Sequence, residues 1–250
     1  MSQSLSKNQI KLITNLKQKK YRLLHGFFVV EGIKTIRELL SSNIQLYTLF
    51  TTESFKNDAN TDGYWDEILI SEADLKRISF LTTPNKALAI FKIPTSKPID
   101  TNELIVVLDD IRDPGNLGTI IRLCDWFGVK DLVCSNATVD CFNPKVIQAT
   151  MGSITRVNIT YADLPSFLKE VAMPIFGTFM DGENVYNKSL PKKGVLVLGN
   201  EANGISKDLE VLINEKIAIP RFGNIQVTES LNVATATAIL LSEFRRKLSV

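Results

Sequence analysis

Two short apolar runs, LIVVLD at 104–109 and GVLVLG at 194–199, constrain the fold most strongly. Near-continuous apolar runs of this length are typical of strands that are buried on both faces of a sheet. Further strands are predicted at 131–135, 155–160, 174–179 and 216–219, with helical segments between them. The alternation predicts an α/β domain in which a parallel sheet carries helices on both faces.

Residues 1 to about 96 predict a smaller α/β domain. A helix is expected up to about Leu24, strands over GFFVVEG, LYTLFTT and KALAIFKI, and helices over IKTIRELLSS and SEADLKRISF, the last opening with a Ser cap. The segment PTSKPIDTNE has two prolines and few apolar residues, so the boundary is expected near residues 94–102. The predicted domains are therefore 1–96 and 103–250.

Charge and hydropathy by themselves exclude few classes of function. The 250 residues carry a net charge of +2 and 22% charged residues, so any basic surface must be local. No apolar run is long enough for a membrane-spanning helix, and the N-terminal residues lack the apolar core of a secretory signal. We expect a cytoplasmic protein without a membrane partner.

The cysteine and histidine content limits the possible chemistry. Cys124, Cys134 and Cys141 have no paired C-x-x-C spacing and no histidine nearby, which favours structural roles over a metal site. His25 is the only histidine of the sequence, so an active site in the C-terminal half must work without one. No metal is expected.

The first polar loop, within LDDIRDPGNLGTIIRLCDWFG at 108–128, follows a predicted strand and enters a helix. Asn116 is expected to cap this helix, and Arg122 follows six residues later. A Pro-Gly turn with a solvent-facing arginine explains the stretch equally well. The G-x-G-x-x-G spacing of a dinucleotide site is absent, which argues against an oxidoreductase on this sheet.

Two further loops leave predicted strand ends, where ligands of parallel sheets collect. In VLVLGNEANGIS at 195–206, Glu201 lies between Asn200 and Asn203, a composition that suits a ligand with hydroxyls, amines or a positive centre. A merely solvated glutamate is the alternative. In IAIPRFGNIQVTESLNVATATAILL at 217–241, Ser230 and Asn232 open a helix of small residues, and Ser230 could be a plain N-cap.

These segments, together with NPKVIQATMGSITRV at 143–157, resemble in their order the motifs of the SpoU, or TrmH-type, RNA 2′-O-ribose methyltransferases of the SPOUT superfamily. The resemblance covers essentially all of 104–247. It implies a SPOUT α/β-knot fold, in which a parallel sheet carries a C-terminal trefoil knot, and a homodimer that pairs across its cofactor sites. KKYRLLHGFFVVEGIKTIRELL is similar to the small L30e-like α/β domain that precedes the catalytic domain in many members.

The resemblance also implies the cofactor and the residues of the site. The methyl donor would be S-adenosylmethionine. The catalytic residues would be Asn116, Arg122, Glu201, Ser230 and Asn232, and the cofactor would lie against Gly199, Ile219 and Leu231, with Thr178 and Leu198 nearby. The loop NIQVTE, 224–229, is a few residues longer than the usual spacing of the third motif, so the contacts of Phe222 to Glu229 are left unassigned.

The role that the resemblance gives to Arg122 has two forms. The family's usual candidate for the base is this arginine, which would draw the proton from the ribose 2′-hydroxyl. A guanidinium is normally protonated, however, so Arg122 could equally hold an RNA phosphate and stabilise the developing alkoxide. Both roles make Arg122→Lys damaging, because lysine lacks the planar fork.

RNA is the expected partner, with ribosomal RNA favoured over transfer RNA. A basic cluster that could contact phosphates is predicted on the N-terminal domain, comprising Lys17, Lys19, Lys20 and Arg22. The alternatives are the same reaction on transfer RNA and a non-catalytic RNA-binding or ribosome-assembly protein on this fold. Against the second, every polar residue that the family motifs require is present.

Overall fold

The structure, a computed structural model, describes residues 4–58, 67–223 and 230–246. The chain packs as two compact units, the first made of Met1–Thr95 with Asp140–Thr155 and the second of Ser96–Val139 with Arg156–Val250. Residues 140–155, which the sequence analysis assigns to the C-terminal domain, thus pack with the N-terminal residues. The domain limits 1–96 and 103–250 stay predictions.

The first unit is built on a four-stranded sheet with the order β1-β4-β2-β3. Its strands are β1 (Phe27–Glu31), β2 (Leu46–Thr51), β3 (Glu67–Leu69) and β4 (Ala87–Lys92). Strand β4 pairs antiparallel with β1 and β2, while β3 is a short parallel addition to β2. Strand β3 was not predicted, because three half-buried residues give too short a pattern to recognise.

Helices cover this sheet and complete its core. They are α1 (Lys7–Asn15), α2 (Lys19–His25), α3 (Ile33–Leu40), α4 (Glu53–Asp58), which was not predicted, α5 (Glu72–Ile78) and α7 (Pro144–Thr150). The predicted cap of α5 is confirmed, since Ser71 Oγ accepts the N–H of Asp74 at 3.1 Å. Ile13 and Leu75 pack with Phe50 and Leu88 of the sheet in one apolar core.

The prediction of one continuous helix up to Leu24 is wrong, because the chain breaks between α1 and α2. The carbonyls of Leu16 and Lys17 accept hydrogen bonds from the Arg22 guanidinium at 2.8 and 2.9 Å. Arg22 also donates to Asp140 Oδ2, at 2.8 Å from Nε. Its side chain is 2% exposed, so Arg22 cannot belong to the predicted phosphate-binding cluster, whereas Lys17, Lys19 and Lys20 are exposed.

The second unit contains a six-stranded sheet in which every pair is parallel, as predicted. The strand order is β10-β8-β9-β5-β6-β7. The strands are β5 (Leu104–Leu108), β6 (Asp131–Ser135), β7 (Asn158–Ala162), β8 (Ile175–Asn184), β9 (Gly194–Leu198) and β10 (Glu215–Ala218). All residues of the central strands β5 and β9 are buried, which explains their continuous apolar sequence.

Helices lie on both faces of this sheet. They are α6 (Pro114–Trp126), α8 (Leu164–Glu170), α9 (Lys207–Glu210) and α10 (Val233–Arg245). Leu168 of α8 and Leu209 of α9 pack with Val107 and Val197 in one apolar cluster. Helix α10 packs against α6, and its Phe244 ring meets the Phe176 ring of β8 edge-on at 5.3 Å. Both faces are therefore closed to solvent by apolar contacts.

Two strand predictions need correction. The strand expected at 155–160 begins at Asn158, because Ser153–Thr155 forms a 3-10 turn in which Thr155 N–H bonds to the Gly152 carbonyl at 3.1 Å. The strand expected at 174–179 extends to Asn184. Between Lys216 and Ile217 of β10 the paired residue of β8 changes from Gly177 to Glu183, so residues 178–182 loop out of the ladder. That detour contributes one wall of the site.

Candidate active site

Three loops meet at the carboxyl ends of β5, β9 and β10, where ligands of parallel sheets bind. Beside them lies a cavity of about 460 Å³, within the usual size range of small-molecule sites. All five residues expected at the cofactor line this cavity, as do two expected catalytic residues. They are Thr178, Leu198, Gly199, Ile219 and Leu231, followed by Glu201 and Ser230.

The loop after β9 is held in a closed turn. Asn200 and Gly204 exchange backbone hydrogen bonds at 3.1 and 2.8 Å, which brings the turn close to Gly199. A Cβ atom at Gly199 would lie 2.1 Å from the carbonyl carbon of Gly204, so only glycine fits this position. The amide of Asn200 donates to the carbonyl of Asp110 at 2.7 Å and fastens this loop to the loop after β5.

Three of the expected catalytic side chains form one hydrogen-bonded chain. Asn116 Nδ2 donates to Glu201 Oε1 at 2.5 Å, and Asn116 Oδ1 accepts from Asn232 Nδ2 at 2.9 Å. Asn232 Oδ1 in turn accepts the N–H groups of Ala234 and Thr235, which fixes the start of α10. The amide of Asn116 is thereby oriented from both sides, with its NH₂ group toward the carboxylate.

The prediction that Asn116 caps α6 is wrong. The N-cap is Asp113, whose Oδ1 accepts the Asn116 N–H at 2.8 Å, and Pro114 occupies the first helical position. Proline suits that position because its missing N–H would have no helical partner there. Asn116 lies in the first turn, and its side chain is left to bond across to Glu201. Ser230 is likewise not a cap, since Asn232 caps α10.

Arg122 lies apart from this chain of hydrogen bonds. It follows Asn116 by six residues, about 9 Å along the helix axis, and it is not among the residues that line the cavity. Its side chain is exposed, and within 4–58, 67–223 and 230–246 it makes no hydrogen bond or ion pair. Its guanidinium is thus available to an anionic ligand.

Several residues of the site were not predicted from the sequence. Asp109 is 8% exposed, and its Oδ2 accepts the Ser206 N–H at 2.8 Å. Phe179 and Met180, in the detour of β8, line the cavity together with Arg221. Lys216 lies 4.4 Å above the Phe179 ring, and its hydrogen bond to Glu210 raises the pKa of the ammonium group. In the sequence, two consecutive aspartates, Asp109 and Asp110, directly follow β5, and this pattern could have identified Asp109 as a residue of the site.

The cysteines are all free and buried. Burial raises the pKa of the Cys124 thiol to about 12, so this thiol is unreactive in the folded protein. In the described part of the chain no three His, Cys, Asp or Glu side chains are grouped as a metal would require. None of its helices is long and apolar enough to cross a membrane.

The loop NIQVTE, 224–229, lies outside the described residues.

Comparison with known families decides the family of this chain. The sequence profile described as "SpoU rRNA Methylase family" matches residues 103–242, which is more than half of the chain. The chain belongs to the SpoU rRNA Methylase family. The resemblance stated for the sequence motifs is therefore confirmed. A second profile, the MRM3-like substrate binding domain, matches residues 7–89.

Relatives of the SpoU family resemble this chain over its full length. A Bacillus subtilis protein named 23S rRNA (guanosine(2553)-2′-O)-methyltransferase RlmP is 28% identical over 96% of this chain and 97% of its own. A TrmH-family structure from Porphyromonas gingivalis has 38% identity and a TM-score of 0.87, covering 98% of this chain and all of its own. An AdoMet-bound rRNA methyltransferase structure from Sinorhizobium meliloti has 29% identity and a TM-score of 0.86, covering 100% of this chain and 98% of its own.

Proposed function

We propose that this chain is an S-adenosylmethionine-dependent methyltransferase that methylates a ribose 2′-hydroxyl of ribosomal RNA. One observation carries the proposal: the hydrogen-bonded chain Asn232–Asn116–Glu201 ends at Glu201 on the cavity formed by the loops after β9 and β10. The name of the Bacillus subtilis relative, which specifies a 23S ribosomal RNA guanosine, supports ribosomal RNA over transfer RNA.

The cavity fits the cofactor in its chemistry. Leu198, Ile217 and Leu240 offer an apolar wall to an adenine ring, and the Glu201 carboxylate suits the positive sulfonium and amino groups. We place the cofactor against Gly199, Ile219 and Leu231, with Leu198 and Thr178 beside it. When bound, S-adenosylmethionine supplies a methyl group that is strongly electrophilic because it is carried by a sulfonium.

The chain's own residues then position the ribose and stabilise its charge. A ribose hydroxyl is a weak nucleophile, so catalysis depends mainly on its orientation and on the fate of its proton. The fixed amide of Asn116 holds the Glu201 carboxylate, Asn232 holds Asn116, and Ser230 lines the cavity. These roles stay proposals for each residue.

We assign Arg122 the electrostatic role of the two that the sequence left open. An exposed guanidinium is protonated at any working pH, so it is poorly suited to accept a proton. Its planar fork suits an RNA phosphate, and its charge stabilises an oxyanion that develops nearby. The proton of the hydroxyl then passes to the phosphate or to solvent.

The N-terminal domain, 1–96, is proposed to bind the RNA, and residues 103–250 to carry the reaction. The match of residues 7–89 to a substrate-binding domain supports this division. The exposed Lys17, Lys19 and Lys20 supply positive charge for phosphates, without Arg22.

We also propose a homodimer that pairs across the cofactor cavities, and a C-terminal trefoil knot. Trp126 is 84% exposed and lies one helical turn after Arg122 on the same face of α6. A large exposed aromatic beside a functional cation is typical of a face that a second protein surface covers. Sedimentation showing a species near the chain mass of 27.9 kDa at micromolar concentration would contradict the dimer.

We also propose that the reaction takes place in the cytoplasm, which the three free cysteines support.

Incubation with labelled S-adenosylmethionine and separate pools of unmodified ribosomal and transfer RNA tests the function. We expect alkali-resistant label in ribosomal RNA alone. Label in transfer RNA alone would reverse the substrate assignment. Failure to bind S-adenosylmethionine would favour the non-catalytic alternative.

A further inference from the structure

The start of the chain carries positive charge and no acidic side chain. Residues 1–30 contain neither Asp nor Glu, and the first acidic residue of the sequence is Glu31. The same stretch has five lysines, and all of them are exposed: Lys7, Lys11, Lys17, Lys19 and Lys20. A surface of one sign attracts a polyanion, even in a chain whose net charge is only +2.

Helix α2 presents rings and apolar side chains beside these cations. The Tyr21 and His25 rings, one helical turn apart, lie within 15° of parallel, with their centroids 6.5 Å apart. Lys20 Nζ lies 4.8 Å from the centroid of the Tyr21 ring. His25 is exposed, and Leu23 and Leu24 are 67% and 72% exposed. A cation, two rings and two leucines therefore lie together on a helix of seven residues.

The buried side of α2 is anchored by Arg22. Its guanidinium donates to the carbonyls of Leu16 and Lys17 at 2.8 and 2.9 Å, which ties the turn that carries Lys17 to the helix. The carboxylate of Asp140 also lies against Arg22. Its Oδ2 accepts from Arg22 Nε at 2.8 Å, and its Oδ1 accepts the Phe142 N–H at 3.1 Å. The charge of Asp140 is thus offset by Arg22, and the exposed lysines are set in place beside the rings.

The chemistry of this surface suits an unpaired nucleotide of RNA. Bases of single-stranded RNA stack on aromatic side chains, including histidine, while cations hold the phosphates. A continuous duplex would use only the lysines, because its bases are already stacked on one another. A protein segment would need several carboxylates as well as apolar side chains to complement the same surface. One unpaired nucleotide offers a flat base and a phosphate together.

We propose that the His25 ring, supported by Tyr21, stacks on an unpaired RNA base, and that Lys17 and Lys20 bind the adjoining phosphates. The proposal rests on the proposed function, because it assigns this surface to the RNA that residues 1–96 are proposed to bind. It goes further by stating the shape of that RNA. The substrate carries a loop, a bulge or an end with an unpaired base, in addition to the nucleotide that is methylated.

The test compares His25→Ala, which removes the ring, with His25→Phe, which keeps a ring but has no imidazole nitrogens. The full chain is titrated with an oligouridylate that contains one 2-aminopurine, both as a single strand and annealed to its complement. We expect His25→Ala to weaken the Kd for the single strand about 10-fold and to remove most of the quenching of 2-aminopurine fluorescence. His25→Phe should resemble the unaltered protein. The Kd for the duplex should be equal for all three proteins, and denaturant titration shows that each variant is folded.

A matched pair of lysines tests the phosphate contact. Lys20→Gln should lower the slope of log K against log salt by about 0.7, the value for one phosphate contact on a single strand. Lys76→Gln removes a charge that is also exposed in the same unit, on α5, which carries Glu72 and Asp74. This control should leave the slope unchanged.

Two results would overturn the platform. One is an equal Kd and equal quenching for His25→Ala and the unaltered protein, which would leave the exposed leucines to a protein partner. The other is the same loss of affinity for single strand and duplex, since His25 would then not act on a base. If the unaltered protein binds and quenches the single strand but transfers no methyl group, the platform is supported and the proposed function alone fails.

Discussion

The Asn116 amide donates to Glu201 Oε1 at 2.5 Å, joining the first turn of α6 to the loop after β9 across 85 positions of sequence. Asn116 follows β5 and Glu201 follows β9, and these two strands are neighbours in the sheet. Because Asn116 Oδ1 also accepts a hydrogen bond from Asn232 Nδ2, the Asn116 amide connects all three segments of the site. The arrangement makes Asn116 the residue on which the geometry of the cluster most depends.

Replacing this amide by a carboxylate is therefore expected to damage the reaction. Asn116→Asp removes the donor to Glu201 and sets two carboxylates against each other, so we expect kcat to fall at least about 10-fold. Asn116 does not line the cavity, so the Kd for S-adenosylmethionine should change little. Asn203→Asp, an exposed position in the Glu201 loop, is the charge-matched control. Equal kcat for the two variants would contradict the role of Asn116.

The closed turn after β9 predicts that Gly199→Ala loses cofactor binding. The added Cβ would meet the backbone of Gly204 at 2.1 Å, which the turn can relieve only by opening. We expect a loss of about 1–3 kcal/mol in the free energy of unfolding and a weaker Kd for S-adenosylmethionine by titration. Gly223→Ala adds the same methyl group in open space and should affect neither quantity.

The buried ion pair of the N-terminal unit predicts a stability effect without a catalytic one. Arg22 is 2% exposed and Asp140 12%, so Arg22→Met leaves a largely buried carboxylate without its partner. We expect the free energy of unfolding to fall by about 3–5 kcal/mol, measured by denaturant titration. Arg77→Met breaks the pair with Asp74, in which the arginine is 57% exposed, and should cost less than about 1 kcal/mol. Similar losses for both would contradict the burial of Arg22.

Glu31 predicts a pH dependence of stability. Burial raises the pKa of its carboxyl above 4.5, although hydrogen bonds from Ser79 and Phe80 oppose this. A raised folded-state pKa means that this contribution to stability is full below pH 4.5 and is lost as pH rises through the folded-state pKa. The unfolding free energy of the unaltered protein relative to Glu31→Gln should therefore decline from pH 4.5 toward neutrality.

Asp163 gives the opposite sign and serves as the comparison. Hydrogen bonds from Ser166 lower the pKa of its carboxyl below 3.8. Its contribution is present above pH 3.8 and is lost as pH falls through the folded-state pKa. Relative to Asp163→Asn, the unaltered protein should lose stability at low pH. The same slope for both pairs of proteins would contradict the two assignments.

The sequence predicts most of the catalytic sheet because its strands are continuous apolar runs. The cap of α6 was also within reach, since an aspartate before a proline is a regular helix start. The burial of Arg22 was not, because its partner Asp140 lies 118 positions away. The detour of β8 was equally hidden: the sequence predicts a strand that ends at 179, and only the pairing with β10 shows that 178–182 leave the ladder and that pairing resumes after them.

The residues of the site likewise divide into those that were predicted from the sequence and those that only the structure reveals. The resemblance to the SpoU family assigned Gly199, Ile219 and Leu231 to the cofactor and Glu201 to catalysis, and the structure shows all four lining one cavity. Phe179, Met180 and Arg221 were not assigned, because the place of Phe179 and Met180 depends on the detour of β8 and no feature of the sequence singled out Arg221. The distance of Arg122 from the cavity also follows only from the structure.

Arg122 is proposed to be the cation that stabilises the developing charge during methyl transfer to a ribose 2′-hydroxyl. The most direct test measures labelled methyl transfer to ribosomal RNA by the unaltered protein and by Arg122→Ala, with the Kd for S-adenosylmethionine determined for both. We predict alkali-resistant label from the unaltered protein, and a kcat about 10²–10³-fold lower for Arg122→Ala at unchanged Kd. Alkali-labile label would rule out the 2′-hydroxyl as the acceptor, and an equal kcat for the two proteins would rule out this role of Arg122.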